Sequence, residues 1–224
     1  MRLSIFCALL VASSLNAKAA GTSLETDAEK YSYSIGINFA QSLMRQGAPL
    51  DADAIYMAIR DALEGSKPRL SADSMTAALR TEAQKAGERK HEMATQNLRA
   101  GQSFMQTNAA KGGVTTLSNG IQYEVLRKGE GAQPKATDQV KVHYTGSLID
   151  GREFDSSKRR GEPAVFGLDG VIQGWQDVLP LMRAGSRWLV TIPPDKAYGI
   201  NGAGATIGPN ETLVFEIELL EILK

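Results

Sequence analysis

The chain has 224 residues, with 25 Lys and Arg set against 25 Asp and Glu, so its formal net charge is zero. That balance gives no reason to expect a nucleic-acid partner, and one cysteine with two histidines cannot assemble a zinc centre, a disulfide or a nucleophile–base cluster. No metal and no other cofactor is therefore expected.

At the amino terminus Arg2 precedes an apolar run from Leu3 to about Leu15, and Ala17, Lys18 and Ala19 form a small-x-small cleavage pattern. Residues 1–19 read as a secretory signal peptide, cut after Ala19 or Ala20, which predicts an exported chain. The run is shorter than the roughly 20 residues that a membrane span needs, and no later stretch reaches that length, so no transmembrane segment is expected. Cys7 lies inside the run with no lipobox before it and does not read as a lipid-attachment site. The mature chain then has no thiol, and its stability must come from burial and from oligomerisation.

Thr26 with Glu29 matches a capping box, after which Ile35, Phe39, Leu43 and Met44 recur at helical spacing up to Gly47. Pro49 and Asp51 open a second pattern with Ile55, Ile59, Ala62 and Leu63 along one side, closed by Gly65 and Pro68. Two short helices offer little area for a core of their own. Residues 20–70 are therefore read as a dimerisation module whose apolar stripes meet a second copy, with folding back onto the downstream chain as the alternative.

Ser71 caps a third pattern, rich in strong helix formers and free of proline to Lys111. Residues 71–113 are read as one long connecting helix, about 40 residues and roughly 60 Å. An apolar stripe from Met75 to Ala86 gives way between Gly87 and Gly101 to a surface polar nearly all round. Such a surface predicts a helix that bridges domains through solvent, with Gly87 and Gly101 as hinge points. The apolar repeat is too short-lived for a coiled coil.

Residues 114–224 change character. Asn119–Gly120 signals a turn before Ile121, Tyr123 and Val125, which alternate as a strand. Val140, Val142 and Tyr144 share one face of the next strand, with His143 on the other, and Asp150–Gly151 turns the chain towards Phe154 and Asp155. A short helix is expected from Trp175 to about Met182, then a strand over 187–192, a Pro- and Gly-rich loop, and a last strand over 213–223. The pattern is α+β: a mostly antiparallel sheet with one short helix to cover it.

The blocks VHYTG, GREFDSS, VIQGW, AYG and TLVFEIELL occur in this order between residues 142 and 220. With their spacing they resemble the FK506-binding-protein family of peptidyl-prolyl cis-trans isomerases, and the upstream helices resemble the Mip and FkpA-like bacterial members. The resemblance implies a curved sheet wrapped on the short helix, with a proline pocket between them and the bacterial periplasm as compartment. Trp175 would floor the pocket and Tyr144, Phe154 and Phe215 would wall it. Val171, Ile172 and Ile207 would touch substrate, Ile172 through its backbone amide. Tyr198 would donate to a substrate carbonyl. Asp155, which alone reads as a turn residue capping the local backbone, would through the resemblance face the rotating bond, with Arg160 as its supporting partner. Tyr144, Asp155 and Tyr198 form the implied catalytic set, and macrolides of the FK506 and rapamycin type are implied ligands. Ala164 and Ala203 depart from the single-domain members, which carry an aromatic and a histidine there.

Such a pocket needs little acid–base chemistry. Rotation about an X-Pro amide crosses a barrier of roughly 20 kcal/mol, and the twisted state has lost amide resonance and part of its charge separation, so a dry aromatic pocket favours it. The expected function is isomerisation of X-Pro bonds in exported, folding polypeptides, with chaperone activity as a homodimer. The competing function is a non-enzymatic holdase that uses the same fold only as a binding surface.

Overall fold

The computed structural model describes residues 23–44 and 49–223; the signal peptide, Cys7 and Gly47 lie outside them. Two compact units emerge, residues 1–50 and 51–224, and each is taken by itself.

In the first unit, α1 spans Asp27–Met44. The capping box forms as the sequence predicts: the Glu29 amide donates to Thr26 Oγ1 at 3.2 Å while the Thr26 amide donates to Glu29 Oε2 at 2.9 Å. No residue of α1 is buried, although Tyr31, Ile35 and Phe39 lie along it.

The second unit begins with α2, Ala52–Leu63, capped by Asp51, whose Oδ1 accepts from the Ala54 amide at 2.9 Å. Gly65 takes φ +68° past its end, a left-handed conformation that favours glycine. Arg69 then grips Asp61 with two hydrogen bonds, 2.6 and 3.0 Å, fixing the turn into the next helix. The long helix α3 runs Ala72–Ala109 from its Ser71 cap.

Seven strands follow: β1 Val114–Thr116, β2 Gln122–Arg127, β3 Gln139–Leu148, β4 Glu153–Ser156, β5 Ala164–Gly167, β6 Arg187–Ile192 and β7 Leu213–Leu223. They form one antiparallel sheet in the order β1-β2-β6-β7-β3-β4, and β5 pairs the first half of β3 along the edge that β4 pairs further on. Between β4 and β5 sits α4, Ser157–Arg160; between β5 and β6 sits α5, Gln173–Val178. The expected helix to Met182 stops early because Pro180 has no amide to donate, and the chain continues as a 3-10 turn over Leu179–Leu181.

The alternation read in β3 is real. Val140 and Val142 are fully buried and Tyr144 nearly so, while His143 turns to the other face and meets Ser157 Oγ at 3.1 Å. With Val190, Ile192, Ile217 and Leu219 from β6 and β7, and with Trp175 and Val178 from α5, these side chains make one continuous core. Each fully buried aliphatic side chain contributes about 1.5–3 kcal/mol. At the β3–β4 hairpin Gly151 has φ +88° and its amide donates to the Leu148 carbonyl at 3.0 Å, as the Asp-Gly signal predicts.

One expectation fails on α3. Its front half is exposed to solvent, but Ala94, Gly101 and Asn108 are buried. Asn97 Nδ2 donates to the Pro209 carbonyl at 2.9 Å, and Asn108 Nδ2 donates to Gln122 Oε1 at 2.9 Å. Gln122 Nε2 donates in turn to the Met105 carbonyl at 2.8 Å. Gly101 is not a hinge: a Cβ there would overlap Thr212 Oγ1, so glycine permits a close approach between helix and sheet. The rear of α3 docks through small and amide side chains, which is why no apolar stripe announces it.

Candidate functional site

Trp175 lies in α5 at the base of an aromatic box. Its indole meets Tyr144, Phe166 and Phe215 edge-on, with ring centroids 5.3, 5.7 and 5.4 Å away. Phe215 in turn meets Phe154 edge-on at 5.5 Å. These are the geometries that ring quadrupoles favour, so the walls hold one another in place. Gly146 makes the pair of phenylalanines possible, since a Cβ at that position would stand 2.6 Å from the Phe154 ring and 2.7 Å from the Phe215 ring.

The box encloses a cavity of about 300 Å³. Eight of the residues expected from the sequence converge on it: Tyr144, Phe154, Asp155, Val171, Ile172, Trp175, Tyr198 and Phe215. Arg160 joins from α4 through the side chains it holds. Ile207 does not line the cavity. It pairs with Ala203 across a two-way backbone bridge and packs into the core, 9 % exposed, so it ties the flap over residues 198–211 to the core. Phe166 and Gly170 line the cavity without having been expected. The signal for Phe166 was present: after Pro163, Ala164 and Phe166 alternate with the exposed Val165 on β5.

At the rim, three polar side chains form a closed triad. Tyr144 Oη donates to Asp155 Oδ2, Arg160 Nη1 donates to Asp155 Oδ1, and Arg160 Nη2 donates to Tyr144 Oη at 3.0 Å. The Arg160 guanidinium also lies 5.6 Å from the Tyr144 ring centroid, a cation–π contact. Burial alone would raise the Asp155 carboxyl, but the hydrogen bonds from Tyr144 and Arg160 outweigh it and hold Asp155 below its usual value. Burial and the hydrogen bond to Asp155 push the Tyr144 hydroxyl up; burial and the nearby Asp155 charge do the same for Tyr198. At neutral pH Asp155 is therefore an anion and both tyrosines are donors. Among the described residues, no partner accepts from Tyr198 Oη or from the Ile172 amide, so both remain available to a ligand. Gln176 Nε2 donates to the Val171 carbonyl at 2.8 Å and fixes the approach to α5.

Size alone would direct attention elsewhere. A cavity of about 520 Å³ lies between α2 and the start of α3, but it is lined mainly by aliphatic side chains and its charged pair, Asp61 and Arg69, is already satisfied. Convergent polar groups over an apolar floor favour the aromatic box. Among the described residues no cluster of His, Cys, Asp and Glu could hold a metal ion, and no helix is long and apolar enough to cross a membrane.

Comparison with known proteins gives two sequence profiles. One described as FKBP-type peptidyl-prolyl cis-trans isomerase matches residues 130–220, and one described as the domain amino-terminal to it matches residues 28–125. The FKBP-type 22 kDa peptidyl-prolyl cis-trans isomerase of Escherichia coli K12 is 47% identical over 193 residues, covering 86% of this chain and 94% of the relative. Outer membrane protein MIP of Legionella longbeachae is 38% identical over 219 residues, covering 96% and 94%. The crystal structure of FkpA from Escherichia coli superposes with a TM-score of 0.66 at 34% identity, covering 90% of this chain and 99% of that one.

Proposed function

The chain belongs to the FKBP-type peptidyl-prolyl cis-trans isomerases, and from that premise we propose that the X-Pro bond rotates in the aromatic box, above Trp175 and beside the Tyr144–Asp155–Arg160 triad. The observation that carries this reading is the convergence of an apolar floor with one fixed carboxylate and two unspent donors. A proline ring seats on Trp175 between Tyr144, Phe154 and Phe215, while Val171 and Ile172 hold the flanking chain, the latter through its free amide. Tyr198 donates to the carbonyl of the rotating bond or its neighbour. Asp155, oriented by Tyr144 and Arg160, faces the carbonyl carbon as the amide twists. Ile207 anchors the flap that carries Tyr198 to the core. Rotation needs no covalent step; the site works by excluding water from an amide that is less polar when twisted and by fixing the ring. Replacing Phe154 by Ala should lower kcat/KM on a short X-Pro peptide about tenfold, the rate equivalent of one lost aromatic wall. An unchanged rate would move the reaction out of the box.

The reading extends to assembly and address. Residues 20–70 serve as a dimerisation module, residues 71–113 connect it to the isomerase domain at 114–224, and the first 19 residues direct export to the bacterial periplasm. The support for a homodimer is that α1 and α2 bury nothing, while Tyr31, Phe39 and Leu63 stand 70 %, 47 % and 84 % exposed. An apolar surface of this kind is matched by a second copy of itself. Two boxes per dimer would hold unfolded, proline-containing clients more firmly than one and give chaperone activity. FK506- and rapamycin-like macrolides would enter the same box, with a looser fit beside Ala164 and Ala203. Sedimentation of the mature chain, expected to show a dimer, tests the assembly.

A further inference from the structure

The flap that carries Tyr198 is a closed loop on a stem held from outside. Within it, the Asn210 amide donates to the Gly199 carbonyl at 2.8 Å, the Gly202 amide donates to the Tyr198 carbonyl at 3.2 Å, and Ala203 and Ile207 exchange backbone hydrogen bonds of 2.9 and 3.1 Å. Asn210 has φ +54°, the one non-glycine residue among those described with positive φ. These bonds close residues 198–211 into one hydrogen-bonded loop.

The stem rests on the rear of α3. Asn97 donates to the Pro209 carbonyl at 2.9 Å and Asn210 Nδ2 donates to the Ala94 carbonyl at 3.4 Å. A Cβ on Gly208 would stand 3.2 Å from Asn97 Nδ2 and 3.5 Å from Met93 Sδ, and Thr212, 1 % exposed, lies against Gly101. Beside these contacts the seam is open. A groove of about 430 Å³, with Leu98 and Met105 on one side and Pro194 and Ile200 on the other, separates the helix from the base of the flap. Ile207 and Ala203 hold the flap to the core, and the contacts with α3 hold its stem at residues 208–212.

We propose that Asn97 and Gly101 of α3 are positioning residues for catalysis, which set Tyr198 over the aromatic box by fixing the flap stem at residues 208–212. The path is short: Asn97 holds Pro209, Asn210 holds Gly199, and Gly199 follows Tyr198 in the chain. The helix that leads back to the assembly module is thus also a structural part of the active site. The inference rests on the reading of Tyr198 as a donor to substrate.

A double-mutant cycle on the full mature chain tests it, with kcat/KM on a short X-Pro peptide read well below the melting temperature of every variant. Asn97→Leu keeps the side chain's size and removes its donor. It should lower kcat/KM by about threefold to tenfold in the parent, the range expected for a small displacement of a positioned group, and by less than about twofold in a Tyr198→Phe background. Gly101→Ala should produce the same pattern, and adding Thr212→Ala to relieve the overlap should restore most of the loss. A merely structural contact would lower activity by the same factor in both backgrounds, and that result, or no loss in the parent, overturns the proposal. Tyr198→Phe with parental activity would remove the tyrosine from the site and the proposal with it. Reduced activity in Tyr198→Phe with strict additivity would overturn the proposal alone.

Discussion

The sheet domain buries its apolar residues within one chain, and the two leading helices do not. From β1 onward the chain supplies both sides of its own core: β3, β6 and β7 present alternating apolar residues, and α5 covers them. In α1 and α2 the apolar residues are as regular, yet none is buried. Amphipathicity shows that a face needs a partner, and it does not say whether that partner lies in the same chain. Helix α3 passes from one regime to the other, solvated at its front and seated on the sheet from Ala94 onward.

If the catalytic chemistry belongs wholly to the self-sufficient region, one substitution there should remove it while the rest of the protein stays assembled. Asp155→Leu should lower kcat/KM on a short X-Pro peptide by roughly tenfold to a hundredfold, the rate equivalent of losing a charge-assisted hydrogen-bonded group. The far-UV circular dichroism and the sedimentation coefficient should match the parent. Parental activity would take Asp155 out of the reaction.

Removing residues 1–70 probes the other side. Turnover of a tetrapeptide should stay within about twofold, because the box and the docked half of α3 are intact, while catalysed refolding of a proline-limited protein should fall about tenfold or more if the proposed dimer binds clients with two boxes. Equal losses on peptide and protein would break the contrast. A cut at residue 114 instead also removes the contacts from Asn97, Gly101 and Asn108. It should therefore cost activity on the peptide that the shorter deletion does not.

A core within one chain and a face that pairs with a second copy would differ in how stability responds to concentration. Ile217→Ala opens a cavity in a fully buried site and should cost about 2–5 kcal/mol in denaturant unfolding at any protein concentration. Leu63→Ala, on an exposed helix face, should leave unfolding of the sheet domain within about 0.5 kcal/mol and, if α2 pairs with a second copy as proposed, weaken that pairing in dilution experiments.

What could be read from the sequence follows the same division. Period-two alternation in β3, the Asp-Gly turn and the Thr26–Glu29 capping box were legible because each is a local rule with a local cause. Eight of the ten site residues named from the sequence line the cavity, because the family resemblance supplied pairings that no periodicity contains. Phe166 stands in an alternating strand, but none of the blocks that carry the resemblance contains it. A glycine in a helix looks like a weakness when the surface it touches is unknown, so from the sequence alone Gly101 reads as a hinge. Docking by Ala, Gly and Asn leaves no hydrophobic signature, so the seat of α3 could not be legible from composition.

The smallest expected effect is that of pH, and its sign is fixed by the triad. Asp155 titrates below its usual value in the folded protein, near 3.9 in an unstructured chain, because Tyr144 and Arg160 donate to its anion more strongly than burial opposes it. A carboxyl depressed in this way contributes stability that is complete above the unfolded value and is lost as pH falls through the folded one. Tyr144 and Tyr198 are shifted the other way, above the ordinary phenol value of about 10, so neither gives up its proton near neutrality. Between about pH 5 and pH 9 the site therefore keeps one protonation state, and kcat/KM should vary by less than about twofold. Asp155→Leu should show the same flat profile at its lower level, since the group it removes does not titrate in that window. A bell-shaped profile centred near neutrality would mean that the reaction depends on a proton-transferring group outside the Tyr144–Asp155–Arg160 triad.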